Sequence, residues 1–300
     1  MNSKKKILIV GGTGFIGYHL AKKCLRKGWK VTSIASRKPR EKRYLPKVKY
    51  INSDITKKKA LKRSITNYYN YVVNLGGYVD HSNKKKTYQS HYIGCKNLTE
   101  IFLNKVPDSF IQIGSSMEYG LRRSPQKENA RCKPKSAYGH AKLLSTLHLI
   151  NLFKNKNFPS TVLRFYQVYG PAQDFNRFIP IIISGCLKNK KFPCSKGNQS
   201  RDFLHVNDAV DAIFQSLKSK KAKGEIINIG SGKPKKIKNI IQYIKFLVKS
   251  GHPLFGKIKL RKEETLKIYP NINKAKKIIN WRSKILLTKG IKSTIKFYNE

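Results

Sequence analysis

The sequence predicts an α/β fold, a doubly wound parallel sheet followed by a smaller α/β unit. Three observations carry this. Short apolar runs of strand length alternate with segments of helical spacing through the first half of the chain, which implies parallel strands joined by crossover helices. The first run, Ile7-Leu8-Ile9-Val10, leads into Gly11-Gly12-Thr13-Gly14-Phe15-Ile16-Gly17 and then into a helix. Later runs end on small residues, Gly76-Gly77 and Gly114-Ser115-Ser116, at the carboxyl edge where such sheets hold ligands.

Strand, glycine turn and helix in that order make a dinucleotide site. Glycines permit the tight turn and let backbone N–H groups approach a pyrophosphate. The helix N-terminus adds free donors and partial positive charge. The helix is Tyr18–Lys27, with Leu20, Ala21, Cys24 and Leu25 at helical spacing, and Val31–Ile34 is the second strand. A fold that prefers NAD places a carboxylate after this strand to bond the ribose 2′-OH. Here Ser36, Arg37 and Lys38 follow, with no acidic residue before Glu41, a set suited to a 2′-phosphate. The expected cofactor is NADP, with NAD as the alternative.

Val48–Ile51 is the third strand, with Asp54-Ile55 beyond its end, and Tyr71–Leu75 is the fourth. The fourth runs into Gly76-Gly77, where a cofactor passes close to backbone. A helix follows over Lys84–Leu103, then a fifth strand over Phe110–Ile113. Pro134–Lys142 enters a helix that extends to about Phe153. Tyr138 and Lys142 are four residues apart and share a helix face. A free tyrosine, with a pKa of about 10, carries protons poorly at neutral pH, and a neighbouring ammonium stabilises its phenolate. Ser115, at the end of the fifth strand, would hydrogen-bond the same reacting oxygen.

Bulk properties narrow the classes. The 300 residues allow one large domain or two closely packed ones, and neither a linker nor a repeat divides them. Lysines precede Ile7 as in a leader peptide, but the apolar run is short and ends in glycines. Phe178–Leu187 contains Pro180 and Gly185 and is too short to span a bilayer, so no membrane partner is expected. Cys24, Cys95, Cys132, Cys186 and Cys194 show no C-x-x-C pair and no metal spacing with histidine. Reduced thiols, a cytoplasmic location and no metal are therefore expected. The chain has 64 Lys+Arg against 15 Asp+Glu, a net charge of +49. These charges are spread rather than clustered, so no specific nucleic-acid site is expected, while anionic substrates are favoured electrostatically.

Over nearly its whole length the chain resembles the extended short-chain dehydrogenases/reductases, the NAD(P)-dependent nucleotide-sugar epimerase/dehydratase family. Gly11–Gly17 is similar to the family's glycine motif, Asp54-Ile55 to its adenine contact, Ser115 to its catalytic Ser/Thr, and Tyr138 with Lys142 to its Tyr-x-x-x-Lys pair. Leu163–Pro171 resembles the strand and loop where the substrate domain begins, and Arg201–Asp208 the Arg-Asp-Phe-x-His-Val-x-Asp signature. Asn228–Gly232 and the region of Trp281 also fit. Two positions depart: His91 and Gln167 each stand where the family usually has asparagine.

The resemblance implies a Rossmann NAD(P)-binding domain over 1–165 and a nucleotide-sugar domain over 166–300, with segments near 201–218 returning to the first. It implies catalysis by Ser115, Tyr138 and Lys142. Besides Ser36–Lys38 and the catalytic Tyr138 and Lys142, the cofactor would be held by Gly11, Thr13, Gly14, Phe15, Ile16, Gly17, Asp54, Ile55, Leu75, Gly76 and Gly77. Ser116, Gln167, Arg177 and Arg201 would hold a nucleotide-diphosphate sugar, the arginines at its diphosphate. A homodimer through the helices after the fourth and fifth strands is implied as well. Asp202 is expected to orient Arg201. The expected activity is NADPH-dependent 4-ketoreduction, with nucleotide-sugar 4-epimerisation as the alternative. A non-catalytic RNA-binding relative is the reading from another class. Sugar dehydration ranks last, because dehydratases carry an acid where this chain has Met117, and Glu118 is expected to face away from the sugar.

Overall fold

The computed structural model describes residues 4–80, 82–260 and 265–300. The first half alternates as β1 (Lys6–Val10), α1 (Phe15–Arg26), β2 (Lys30–Ala35), β3 (Val48–Asn52), α2 (Lys58–Ser64) and β4 (Tyr71–Asn74). Then come α3 (Lys84–Tyr88), α4 (Gly94–Phe102), β5 (Ser109–Ser115), α5 (Ala137–Lys156) and β6 (Ser160–Phe165). The predicted continuous helix over Lys84–Leu103 is interrupted. A π-helical turn, Gln89–Ile93, joins α3 to α4, and the bulge carries the buried His91. Such a turn lodges one extra residue in the helix and marks functional positions.

The remaining elements are β7 (Gln167–Tyr169), α6 (Phe178–Leu187), β8 (Lys191–Cys194), β9 (Ser200–Arg201), β10 (Phe203–His205), α7 (Val206–Lys218) and β11 (Ile226–Ile229). They continue with β12 (Lys235–Lys236), α8 (Ile237–Val248), β13 (His252–Phe255), β14 (Lys267–Ile268), α9 (Asn273–Ile279) and α10 (Leu287–Asn299). The central sheet has seven strands in the order β11-β6-β5-β4-β1-β2-β3, every pair parallel.

Strand alternation sorts the core onto the two faces of this sheet. Ile7 and Ile9 turn to the face covered by α1 and α7, with Leu20, Cys24, Ala209 and Ile213. Leu8 and Val10 turn to the other face, with Leu61, Leu98, Phe102 and Leu149. A third apolar cluster, built on Ile179, Ile183, Phe203, Ile240, Ile244 and Ile291, belongs to the smaller C-terminal unit. Segments beyond residue 165 join the large sheet: α7 packs against α1, α9 packs against β11, and β11 pairs with β6 as the seventh strand.

Trp29 ties β4 and α7 together on the α1 face. Its indole stacks against Tyr71 and Phe214, both at 4.9 Å between centroids. Trp29→Ala is expected to lower the free energy of unfolding by about 2–3 kcal/mol, less than for a fully buried indole. Urea titration followed by circular dichroism checks this, and an unchanged midpoint would refute the stacking role.

Candidate active site

Crossovers leave the sheet in opposite directions from β1 and β4, and a crevice opens between their carboxyl ends. One wall is the glycine turn. Gly11 has φ +77°, and a Cβ there would stand 3.0 Å from the Leu75 backbone. A Cβ on Gly17 would lie 2.4 Å from the Gly11 carbonyl oxygen, so only glycine lets α1 start this close to β1. Gly14 caps α1 without a side-chain bond, and no acidic residue occupies the first turn. The first helical hydrogen bond of the turn runs from Tyr18 N to Gly14 O. The N–H groups of the first turn thus face the crevice as donors, with Thr13, Gly14, Phe15 and Ile16 half-buried around it. This cradle fits a dinucleotide pyrophosphate.

Leu75, Gly76 and Gly77 form the opposite wall. The Gly76 N–H donates to Asn74 Oδ1, which is itself fixed by a bond from Asn74 Nδ2 to Gln112 Oε1 of 2.8 Å. A Cβ on Gly77 would meet the His91 ring at 1.9 Å. Beyond β3, Asp54 is exposed and its Oδ1 accepts the Thr56 N–H at 2.8 Å. Ile55 is buried, and its carbonyl accepts from Asn97 Nδ2 at 2.8 Å.

Ser36, Arg37 and Lys38 are exposed at the carboxyl end of β2. Other basic residues of this loop are committed elsewhere. Arg40 and Arg43 both pair with Asp174, at 2.8 and 3.0 Å. Arg43 also donates from Nε and Nη2 to the Ala172 carbonyl. Among the described residues Arg37 and Lys38 enter no ion pair.

Three strands along, Ser115 ends β5 and caps the short 3-10 turn Ser116–Tyr119. Its Oγ accepts the Met117 N–H at 3.2 Å, and its own N–H donates to Glu118 Oε1 at 2.8 Å. Tyr138 is the second residue of α5, a helix capped by Ser136 Oγ. Lys142, one turn on, is buried and donates from Nζ to the Ile113 carbonyl at 2.6 Å. The same Nζ lies 5.8 Å from the centre of the Tyr138 ring, and His91 meets that ring edge-on at 5.0 Å.

Among the protein's own groups, Lys142 is not one that acts on the phenol. Burial pushes Tyr138 up to about 12 and the Glu118 carboxylate adds to this, while a hydrogen bond from Ser115 and the charge of Arg177 pull it down. Burial likewise pushes Lys142 down to about 8, opposed by Glu118 and Cys95. The physical reason is position. The ammonium is spent on a backbone carbonyl below the ring rather than on the phenol oxygen, and both groups lose water.

The predicted substrate residues come from four separate segments. Ser116 is half-buried on the turn after β5. Gln167 is exposed at the start of β7, its N–H donating to the Asp202 carbonyl. Arg177 caps α6 and reaches Tyr138 electrostatically. Arg201 is buried in β9, with Nη1 donating to the Ser200 carbonyl at 2.8 Å. Asp202, expected to orient Arg201, instead commits its carboxylate to the loop after β11. It accepts from the N–H and hydroxyl of Ser231 and from the Lys233 N–H, donors that a buried carboxylate requires. Glu118 is fully buried on a tight turn, with its carboxylate held by the Ser115 N–H, Thr146 and Arg164. Met117 beside it is 40% exposed. Missed from the sequence was the pairing of Glu118 with Arg164 and Thr146. An arginine inside the apolar strand Leu163–Phe165 was the available signal.

Comparisons with known proteins place these features. The model of the NAD-dependent epimerase/dehydratase family matches residues 7–230. A UDP-N-acetyl-alpha-D-glucosaminuronate decarboxylase from Bacillus cytotoxicus is 27% identical over 319 residues, covering 99% of this chain and 98% of that one. The crystal structure of a UDP-glucose 4-epimerase from Thermotoga maritima, with UDP-glucose, superposes with a TM-score of 0.92 at 23% identity, covering 98% of each chain. A UDP-glucuronic acid 4-epimerase from Bacillus cereus, in complex with UDP-glucuronic acid and NAD, superposes with a TM-score of 0.87 at 25% identity, covering 98% of this chain and 99% of that one. Among the described residues no helix is long and apolar enough to cross a membrane.

Lys142 supplies a direct test of the electrostatics. Its ammonium is intact below a pH of about 8 and is lost as the pH rises through that value, well before an ordinary lysine at about 10.4. Nitrogen NMR of labelled lysine side chains is expected to show one resonance titrating near 8 that disappears in Lys142→Met. A spectrum in which every lysine titrates above 10 would refute it.

Proposed function

We propose, on the premise that the chain belongs to the NAD-dependent epimerase/dehydratase family, that it moves a hydride and a proton at one carbon of a nucleotide-diphosphate sugar. The observation that carries this is the Tyr138 ring 5.8 Å from the buried Lys142 Nζ, which is held on the Ile113 carbonyl of β5, the strand that ends in Ser115, on the same sheet edge as the glycine turn. When bound, the nicotinamide of NAD(P) supplies or accepts the hydride.

This chain's residues do the rest. Tyr138 keeps its proton at neutral pH and would give it to a sugar oxygen from Oη, or take it back in the reverse direction. Ser115 Oγ would hold that oxygen in place. Lys142 would carry its charge at neutral pH beneath the phenol and hold the nicotinamide ribose. Backbone N–H groups at Thr13–Gly17 and the turn at Gly11 would take the pyrophosphate, Asp54 and Ile55 the adenine, and Leu75–Gly77 the far wall. Arg177 and Arg201 would bind the sugar's diphosphate by charge-assisted bonds, and Ser116 and Gln167 would line the sugar.

The finer reading is NADPH-dependent reduction of a 4-keto sugar. Its support is the exposed Ser36-Arg37-Lys38 cluster without a carboxylate, where Arg37 and Lys38 are available to a 2′-phosphate. The second reading is 4-epimerisation with NAD, favoured by the Bacillus cereus 4-epimerase that holds NAD. Elimination of water is disfavoured by Met117, whose thioether is neither acid nor base, and by the committed Glu118. A homodimer through α3–α4 and α5 belongs to the same proposal, supported by the exposed Tyr88, Leu144 and Leu147 on those helices. A cytoplasmic location is supported by the five free cysteines.

Tyr138→Phe is expected to lower turnover by about 10²–10⁴-fold while leaving cofactor affinity within about twofold. Near-normal turnover would sink the mechanism. Supplied with a nucleotide-linked 4-keto-6-deoxy sugar, the enzyme is expected to oxidise NADPH in step with product. NADPH should bind roughly tenfold more tightly than NADH, and Arg37→Asp should cancel that difference. Interconversion of two nucleotide sugars with no net NADPH loss would establish the epimerase instead.

A further inference from the structure

We infer that Glu118 is a positioning residue that clamps the end of β5 to α5 and so sets the register between Ser115 and Tyr138; what that register serves rests on the oxidoreductase reading above. Its two carboxylate oxygens have separate tasks. Oε1 accepts the Ser115 N–H at 2.8 Å. Oε2 accepts the Thr146 hydroxyl at 2.8 Å and Arg164 Nε at 2.8 Å. Tyr138, Lys142 and Thr146 are spaced by four along α5 and therefore share one face. A single carboxylate thus spans the strand end that carries Ser115, the helix that carries Tyr138 and Lys142, and β6.

The surroundings hold that carboxylate in one place. Glu118 is 0% exposed and Arg164 is 1% exposed. The guanidinium lies 4.5 Å from the centre of the Tyr119 ring. The Tyr119 hydroxyl in turn donates to Asn228 Oδ1 of β11 at 2.8 Å, and Asn228 Nδ2 donates to the Gln126 carbonyl. Ser115 Oγ accepts from Met117 N–H on the turn that Glu118 closes. Burying an ion pair gives little net stability, since apolar residues of the same volume serve as well. What this pair provides is geometry.

Among the described residues, those that lie beside Tyr138 or act on it include Ser115 and Glu118 from the β5 end, Lys142 on its own helix, His91 from the π turn and Arg177 from α6. Thr146→Val tests the clamp without altering any charge. Turnover is expected to fall about five- to tenfold, with KM for the nucleotide sugar and cofactor affinity within about twofold. The carbon NMR resonance of the Tyr138 Cζ, assigned by its loss in Tyr138→Phe, is expected to move toward that of a phenol without a hydrogen bond. Thr146→Ser, which keeps the hydroxyl, should restore both. Glu118→Gln should shift the resonance further where that variant folds by circular dichroism. A folded Thr146→Val with unchanged kcat and an unmoved Tyr138 resonance overturns the clamp, even if its Tm falls. If the wild type turns over no nucleotide sugar, the oxidoreductase reading fails by itself, while a resonance shift still supports the clamp and an unmoved one still overturns it.

Discussion

The reversal of strand order between β1 and β4 is the constraint on which the rest of the molecule depends. Right-handed crossovers carry α1 to one face of the sheet and α4 and α5, which follow β4 and β5, to the other. A crevice opens at the carboxyl ends there. The crevice is then lined by whatever follows each strand. In this chain those are the glycine turn after β1, Leu75–Gly77 after β4 and Ser115 after β5. A Cβ at Gly17 would push α1 away from the turn, and with it the backbone donors of its first turn. One at Gly77 would displace His91 and so the edge that meets Tyr138. Small residues at the seam are therefore a packing requirement before they are a binding feature.

Burial shapes the chemistry more than neighbouring charge does. The phenol of Tyr138 is pushed up and the ammonium of Lys142 is pushed down by the same cause, loss of water. Both shifts move their groups toward neutrality. Ser115, Arg177 and Glu118 act as corrections on that background, two on the phenol and one on both. A phenol that retains its proton is an acid, which suits delivery of a proton to a ketone oxygen. The same groups serve oxidation when the phenol is first relieved of its proton.

The loop after β2 and the loop before α6 are joined. Arg43 is buried and binds the Ala172 carbonyl and Asp174, Arg40 also pairs with Asp174, and the Tyr298 hydroxyl of α10 bonds the Gln173 carbonyl. This connection runs from the segment carrying Ser36–Lys38 to the segment leading into Arg177. It fixes the two ends of the crevice relative to each other. Long-range charge is less specific. A net +49 raises the local concentration of anionic substrates, but physiological salt screens exposed charges beyond about 8 Å.

The amino-acid order alone determined the architecture, because strand and helix periods, the glycine spacing and the Tyr-x-x-x-Lys interval are local properties of the chain. The β1-turn-α1 unit, the strands through Ser115 and the shared face of Tyr138 and Lys142 follow from it. Tertiary structure decided what depends on distant neighbours. The π turn at Gln89–Ile93 breaks a helix that periodicity predicts as continuous. β11 joins the large sheet from beyond residue 165. Asp202 turns to Ser231 and Lys233 rather than to Arg201. Glu118 finds Arg164, distant in sequence, and burial raises the phenol of Tyr138. Local periodicity reads which face a residue occupies. Desolvation and hydrogen-bond partners are set only when segments remote in sequence close over that face.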